Sequence, residues 1–230
     1  MKRVQLVIVI IVGIFTVILL TTISSILTHV TLWGSEKAKQ EKKISLTFDD
    51  GPSPEYTPRI LDILKEENVT ATFFLIGKNA EQHPELVRRI VAEGHSIGVH
   101  SYSHPLLVFR TQARMELEIR QAKHVIENQT NQSIQYFRPP YGIIGPRALA
   151  FTKKEHLDII DWSLDAQDYR IPDSQKIADR VVSKARPGDI IVLHDAGGKT
   201  RNASVEALPR IIKELREKGY AFSSLDMLLT

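Results

Sequence analysis

Five short stretches of this 230-residue chain carry residue types that can do acid–base or metal chemistry. Asp49 and Asp50 stand side by side before Gly51-Pro52. His100 and His104 are four residues apart, and Arg138, Asp165 and His194 follow singly. Two imidazoles at that spacing can face one side of a turn or helix start and chelate one cation. Adjacent carboxylates repel each other, and a cation beside them relieves the repulsion. Two histidines with one carboxylate form a common catalytic zinc set that leaves a position for water. Each stretch also has a plainer reading. Asp-Gly-Pro is a good turn after a strand, Arg138-Pro139-Pro140-Tyr141-Gly142 reads as a rigid loop, and Leu193-His194-Asp195 as a strand end with an N-cap aspartate.

What sets the five apart from chance is the elements that must position them. Apolar runs predict strands at Ile44–Phe48, Ala71–Ile76, Ser96–His100, Tyr136–Arg138, His156–Trp162, Asp189–Leu193 and Tyr220–Ser223. Helical patterns fall between them at Pro58–Glu67, Pro84–Glu93, Thr111–Gln129, Ser174–Ala185 and Ser204–Lys218. Strand–helix alternation predicts an α/β fold with parallel strands and helices outside, either a doubly wound sheet or a barrel. In that arrangement every chemical residue sits at or just past the carboxyl end of a strand. A barrel gathers those ends on one face, so a barrel-type active site is expected.

Composition narrows the function further. The chain is 43% hydrophobic and 25% charged, which suits a folded domain plus an appendage and excludes a disordered chain. It has no cysteine, which excludes disulfides, iron–sulfur clusters, thiolate zinc sites and a cysteine nucleophile. The formal charge is +3, but residues 1–43 carry net +4 and the remainder −1. A nucleic-acid module would concentrate basic residues on the folded domain, so no nucleic-acid partner is expected. The basic residues instead flank an uncharged run from Val4 to Trp33, long enough to span a bilayer. Residues 1–33 are therefore read as a cytoplasmic stub and transmembrane helix, 34–43 as a solvated linker and 44–230 as the functional domain. Lys2 and Arg3 ahead of the run favour a single-pass protein of the cell membrane with its domain outside. The alternative is a cleaved signal and secretion. The sequence gives no indication of oligomeric state.

Thr47-Phe48-Asp49-Asp50-Gly51-Pro52, His100-Ser101-Tyr102-Ser103-His104-Pro105, Arg138-Pro139-Pro140-Tyr141, Asp165-Ala166-Gln167-Asp168-Tyr169 and Leu193-His194-Asp195 resemble, in this order, the five motifs of NodB-type polysaccharide deacetylases, carbohydrate esterase family 4. The likeness extends from about Lys43 to Thr230. It implies a distorted (β/α) barrel. By the same resemblance Asp50, His100 and His104 hold a divalent metal, Zn²⁺ first and Co²⁺ as an alternative. Asp49 becomes the general base, held by Arg138, and His194 the acid for the leaving amine, oriented by Asp165. Tyr141 would stabilise the oxyanion through its backbone N–H, and Leu193 would line a pocket for the acetyl methyl. Tyr169 stands where the family usually has Trp, which alters the shape or polarity of that pocket, and Val99 stands where many members have Asn.

The function implied is removal of N-acetyl groups from N-acetylglucosamine units of an acetylated cell-wall glycan, with release of acetate. Peptidoglycan is the first substrate expected, from the anchored domain and short linker. Chitin oligomers, another poly-N-acetylglucosamine or O-acetylated xylan are alternatives within the enzyme class. A catalytically silent glycan-binding module is the alternative outside it, and such a copy would normally have lost a ligand or the acid.

Overall fold

The stretch Lys43–Asp49, KISLTFD, buries every residue after its first. Such a run fits a parallel strand covered on both faces, since a strand with one wet face alternates instead. The computed structural model describes residues 30–198 and 201–230. In it this strand is the second of a nine-stranded sheet. In chain order the strands are β1 (Val30–Thr31), β2 (Lys43–Asp49), β3 (Thr72–Leu75), β4 (Ser96–Val99), β5 (Tyr136–Phe137), β6 (Asp158–Ile160), β7 (Leu164–Asp165), β8 (Ile190–His194) and β9 (Ala221–Phe222). The sheet order is β1-β6-β5-β4-β3-β2-β8-β7, with β9 also on β2, and all these pairings are parallel.

Helices cover the outer face, except that the two short ones Glu36–Gln40 and Leu225–Leu228 pack with Phe74, Tyr136, Ile160 and Ile190 on the other face. The helices are α1 (Glu36–Gln40), α2 (Thr57–Glu66), α3 (Gly77–Gln82), α4 (Pro84–Ala92), α5 (Gln112–Thr130), α6 (Pro146–Lys154), α7 (Ser174–Lys184), α8 (Arg201–Glu217) and α9 (Leu225–Leu228). Their apolar stripes supply the packing. In α4, Leu86, Val87 and Ile90 are buried, and burying each such side chain contributes about 1.5–3 kcal/mol. The expected stripe of α5, Met115, Ile119, Ala122 and Ile126, is buried, and Glu118 is buried with it. Glu118 accepts from Ser103 N and Ser103 Oγ, each at 2.8 Å, so the helix grips the loop that carries His100 and His104.

The sheet curls without closing, so the expected barrel is an open, curled half-barrel. β1 and β7 are its two edges. The expected strand His156–Trp162 divides in the structure into β6, near one edge, and β7, at the other. Only residues 161–163 join them. Four residue steps reach at most ~14 Å, so the two ends of the sheet must approach each other across its concave face. Ser163 N donates to the Ile190 carbonyl at 3.0 Å and Asp161 N to the Thr31 carbonyl at 2.9 Å, which holds the link at both margins.

The boundary expected at residue 44 moves. Val30–Thr31 pairs with β6, and Trp33 bridges Asp189. The stretch expected as a solvated linker, 34–43, contains α1, with Ser35 capping it and Ala38 buried against Phe74, Ile190 and Leu225. An alanine at the centre of five otherwise polar residues gives too little apolar pattern to reveal a docked helix from sequence. Among the described residues no helix is long and apolar enough to cross a membrane. The remainder of the expected transmembrane segment, before Val30, lies outside the described residues.

Candidate active site

Asp49 ends β2 in register with Phe74 on β3 and with His194 on β8. Its Oδ1 accepts from Arg138 Nη1 at 2.7 Å. Arg138 follows β5 and has no exposed surface, so its charge must be met within the protein. The same Nη1 donates to Thr47 Oγ1 at 2.7 Å, Nε to the Ile160 carbonyl at 3.1 Å and Nη2 to the Asp161 carbonyl at 3.1 Å. The guanidinium also lies 4.0 Å from the Phe74 ring centroid, a favourable cation–π contact. One side chain thus ties β2, β5 and the end of β6 together and fixes the Asp49 carboxylate among them.

The neighbouring Asp50 turns out of the strand at φ 76°, and Asn79 of α3 donates from Nδ2 to its backbone carbonyl at 2.8 Å. Its Oδ1 lies 3.3 Å from His104 Nε2 and 3.7 Å from His100 Nε2. His100 Nδ1 lies 2.8 Å from the Arg138 carbonyl. A carbonyl only accepts, so Nδ1 carries the proton and Nε2 offers its lone pair to the cavity. Burial pushes the His100 imidazole down to about 3, which keeps it neutral as ligation requires. Asp50 Oδ1 is buried yet has no hydrogen-bond partner. Asp50, His100 and His104 bring ligand atoms within 4.8 Å of one another, and no other such group occurs among the described residues. An orphaned carboxylate oxygen beside the Nε2 atoms of two imidazoles fits a divalent cation.

The opposite wall corrects two assignments. His194 Nδ1 meets Asp168 Oδ1 at 2.8 Å, where Asp165 was expected. Asp168 is fully buried and also accepts from His194 N at 2.9 Å and Ser204 Oγ at 2.7 Å. Asp165 instead accepts from Gln167 N at 2.7 Å and from the Tyr169 hydroxyl at 3.2 Å. The chain turns immediately after β7, which leaves Asp165 on the cavity rim and tucks Asp168 under His194, against α8. Burial pushes the His194 imidazole down, but the Asp168 hydrogen bond and charge, with Asp49 and Asp50, outweigh it and hold it above its ordinary value. Asp168 is held below the ordinary carboxylate value, because the His194 and Ser204 bonds outweigh its own burial.

Leu193 does not line the cavity. It is fully buried in the main core, and Val192 faces the cavity instead. Successive strand residues point to opposite faces, so Val192 and His194 do not share a face with the residue between them.

These walls enclose a cavity of about 540 Å³ that also exposes Trp162, Tyr169, Asp165, Tyr141 and Arg201. Tyr141 sits at φ 62°, with its ring edge-on to His104 at 4.6 Å. The Tyr169 ring stands edge-on to His194 at 5.7 Å. Beneath the cavity Asp195 is fully buried, and burial pushes its carboxyl up to about 7. A Cβ on Gly51 would fall 2.1 Å from Asp195 Oδ2, so the turn after Asp50 can close only over glycine. Sequence reasoning passed over Asn79, Asp168, Val192, Trp162 and Arg201. Only Asp168 carried a signal, as the second acid of Asp-x-x-Asp, and nothing local separates it from Asp165.

The sequence pattern of the polysaccharide deacetylase family matches residues 36–160. A peptidoglycan-N-acetylglucosamine deacetylase of Bacillus cereus is 39% identical over 183 residues, 80% of this chain and 66% of its own length. A chitooligosaccharide deacetylase of Sinorhizobium fredii is 37% identical over 192 residues, 79% of this chain and 89% of its own. The crystal structure of a peptidoglycan N-acetylglucosamine deacetylase in complex with a naphthalenyl N-oxidanyl-benzamide superposes with a TM-score of 0.83 at 36% identity, covering 87% of this chain and 92% of that one.

Proposed function

The chain belongs to the polysaccharide deacetylase family, and from that membership we propose that it removes N-acetyl groups from N-acetylglucosamine units of peptidoglycan. The observation that carries the reading is a base and an acid facing one cavity from adjacent strands. Asp49 is locked by Arg138, His194 is backed by Asp168, and the Asp50–His100–His104 donor cluster lies beside them.

An amide resists hydrolysis because its carbonyl is weakly electrophilic and its amine leaves poorly. Asp50, His100 and His104 would hold a divalent cation, Zn²⁺ first, and such an ion supplies Lewis acidity toward the carbonyl and eases deprotonation of water. Asp49 accepts the proton of the attacking water, and Arg138 keeps the carboxylate aimed. His194 Nε2 faces the cavity because Nδ1 is committed to Asp168, and it delivers a proton to the amide nitrogen as the C–N bond breaks. Water and amide give acetate and the sugar amine. Val192 and Trp162 bring apolar surface for the acetyl methyl, the part expected of Leu193. With both the base and the acid in place, the chain lacks the loss that would mark a silent glycan-binding copy.

The test is acetate release from purified peptidoglycan, from chitin oligomers and from acetylated xylan. Chelation should abolish it and Zn²⁺ or Co²⁺ restore it, and His100→Ala should lose both bound metal and activity. Full activity after metal is stripped would sink the reading. The uncharged run before Val30 still exceeds the ~20 residues a bilayer needs, so we propose that it anchors the domain outside the cell membrane. Protease added to wall-free cells should then remove the domain and leave the apolar segment behind; recovery of the domain as a soluble secreted fragment would show a cleaved signal.

A further inference from the structure

Beside the catalytic cavity lies a surface whose composition differs from the rest of the domain. Residues 105–115 and 139–150 carry Arg110, Arg114 and Arg147 and not one Asp or Glu. The two segments touch, because Arg147 Nη2 donates to the Arg110 carbonyl at 3.2 Å. Arg114 leans toward the buried Glu118 at 3.7 Å, whereas Arg110 and Arg147 form no ion pair among the described residues. Apolar side chains are exposed in the same two loops: Phe109, 82% exposed, with Val108 beside it in sequence, and Ile143 in the second loop. Between the arginines is a dimple of about 60 Å³ floored by Leu107, Met115 and Ala148. The surface is continuous with the active site through the chain itself. Tyr141 lines the cavity and Gly145 borders the dimple, four residue steps apart and so within ~14 Å.

We propose that this shelf is a subsite for a neighbouring sugar that bears a free short aliphatic carboxylate, the lactyl-substituted sugar of a peptidoglycan strand from which the stem peptide has been removed. An apolar floor suits a methyl group, two unpaired guanidinium groups at its rim suit a carboxylate, and an exposed aromatic ring suits the face of a pyranose. Chitin offers none of the negative charge. The shelf therefore selects an anionic glycan over a neutral one. The inference rests on the deacetylase reading and narrows its substrate.

Three substrates of matched length separate the possibilities. They are glycan strands stripped of stem peptides so that the lactyl carboxylates are free, the same strands with those carboxylates converted to methylamides, and chitin oligomers. The wild-type protein should show a kcat/KM at least about fivefold higher on the carboxylate strands than on the methylamides, the scale of one or two exposed charge contacts, and the ratio should shrink as salt rises. The double variant R110A/R147A, both substitutions being at exposed positions, should bring the ratio close to one while its thermal melting stays that of the wild type. A ratio near one in the wild-type protein, or a ratio the double variant leaves unchanged, overturns the subsite. Loss of binding to anionic vesicles in the variant with an unchanged ratio would assign the patch to a membrane surface and overturn it equally. Failure of the wild-type protein to release acetate from any of the three would instead count against the deacetylase reading itself.

Discussion

The two walls of the cavity are built differently. On the β2–β5 side the working groups are sealed: Arg138 has no exposed surface, and Asp49 and His100 are 3% and 2% exposed. On the β7–β8 side His194 keeps some access to solvent, and Asp165 and Tyr169 stand on the rim, Tyr169 being 48% exposed. The sealed wall holds charges where water cannot help them, so each must be matched by a neighbour, and the matching makes the geometry stiff. In the proposed mechanism the base and the cation site lie on the sealed wall, and the acid that protonates the leaving amine lies on the open one.

The sharpest break in this contrast would come from Arg138→Met. Removing the guanidinium leaves Asp49 buried without its counter-charge, and breaking a buried pair typically costs about 3–5 kcal/mol. Denaturant unfolding should show a loss of that order together with loss of activity. A variant as stable as the wild-type protein would mean that the sealed wall is not held by its charges.

Next in size is the pair of chemical variants. Asp49→Asn keeps the shape and should keep the bound metal, while turnover falls by roughly 10²–10⁴-fold, the usual worth of a positioned proton acceptor. His194→Ala should harm amide substrates comparably but leave an activated acetate ester far less affected, because a good leaving group needs little protonation. Equal losses on ester and amide would remove His194 from the acid role.

The smallest effect separates the two aspartates of the open wall. If His194 is the acid, as proposed, it works in its protonated form, so the rate should fall as pH rises through its elevated pKa. Asp168→Asn removes the adjacent charge that raises that pKa, and the alkaline limb of kcat against pH should move downward. Asp165→Asn should leave the limb in place, since Asp165 bonds Tyr169 and Gln167 and not His194. A limb that moves with Asp165 and not with Asp168 would reverse the assignment.

The same contrast governs what could be read from the sequence. The sealed wall was legible: the apolar run of β2 ended in Asp49-Asp50, and the spacing of His100 and His104 pointed to a shared cation, because consecutive residues at a strand end have little freedom. The open wall was misread at two positions. Asp165 was expected under His194, but the turn after β7 reverses the chain and delivers Asp168. Leu193 was expected in the cavity, although the period of two that places His194 there puts Val192 beside it. The half-barrel was legible as alternation only. Its curl depends on residues 161–163 joining β6 to β7 near opposite margins of one sheet, and no local pattern states which edge a strand will join. α3 was missed because GKNAEQ has no apolar period, and α6 despite a proline at its start and lysines at its end, signals that mark a helix.

The pairing of β2 with β8 also has a consequence in time. Thr47 Oγ1 donates to the Ile191 carbonyl across 144 residues of sequence, and Asp49 and His194, the proposed base and acid, stand on those same two strands. During synthesis Asp49, Asp50, His100, His104 and Arg138 all emerge well before β8, so the donor cluster can assemble on a sheet that still lacks one wall. Parallel pairing over such separations is slow to form because a long loop must close first. His194, the proposed acid, is therefore the last of the proposed catalytic groups to be synthesised, and its wall of the cavity the last to be completed.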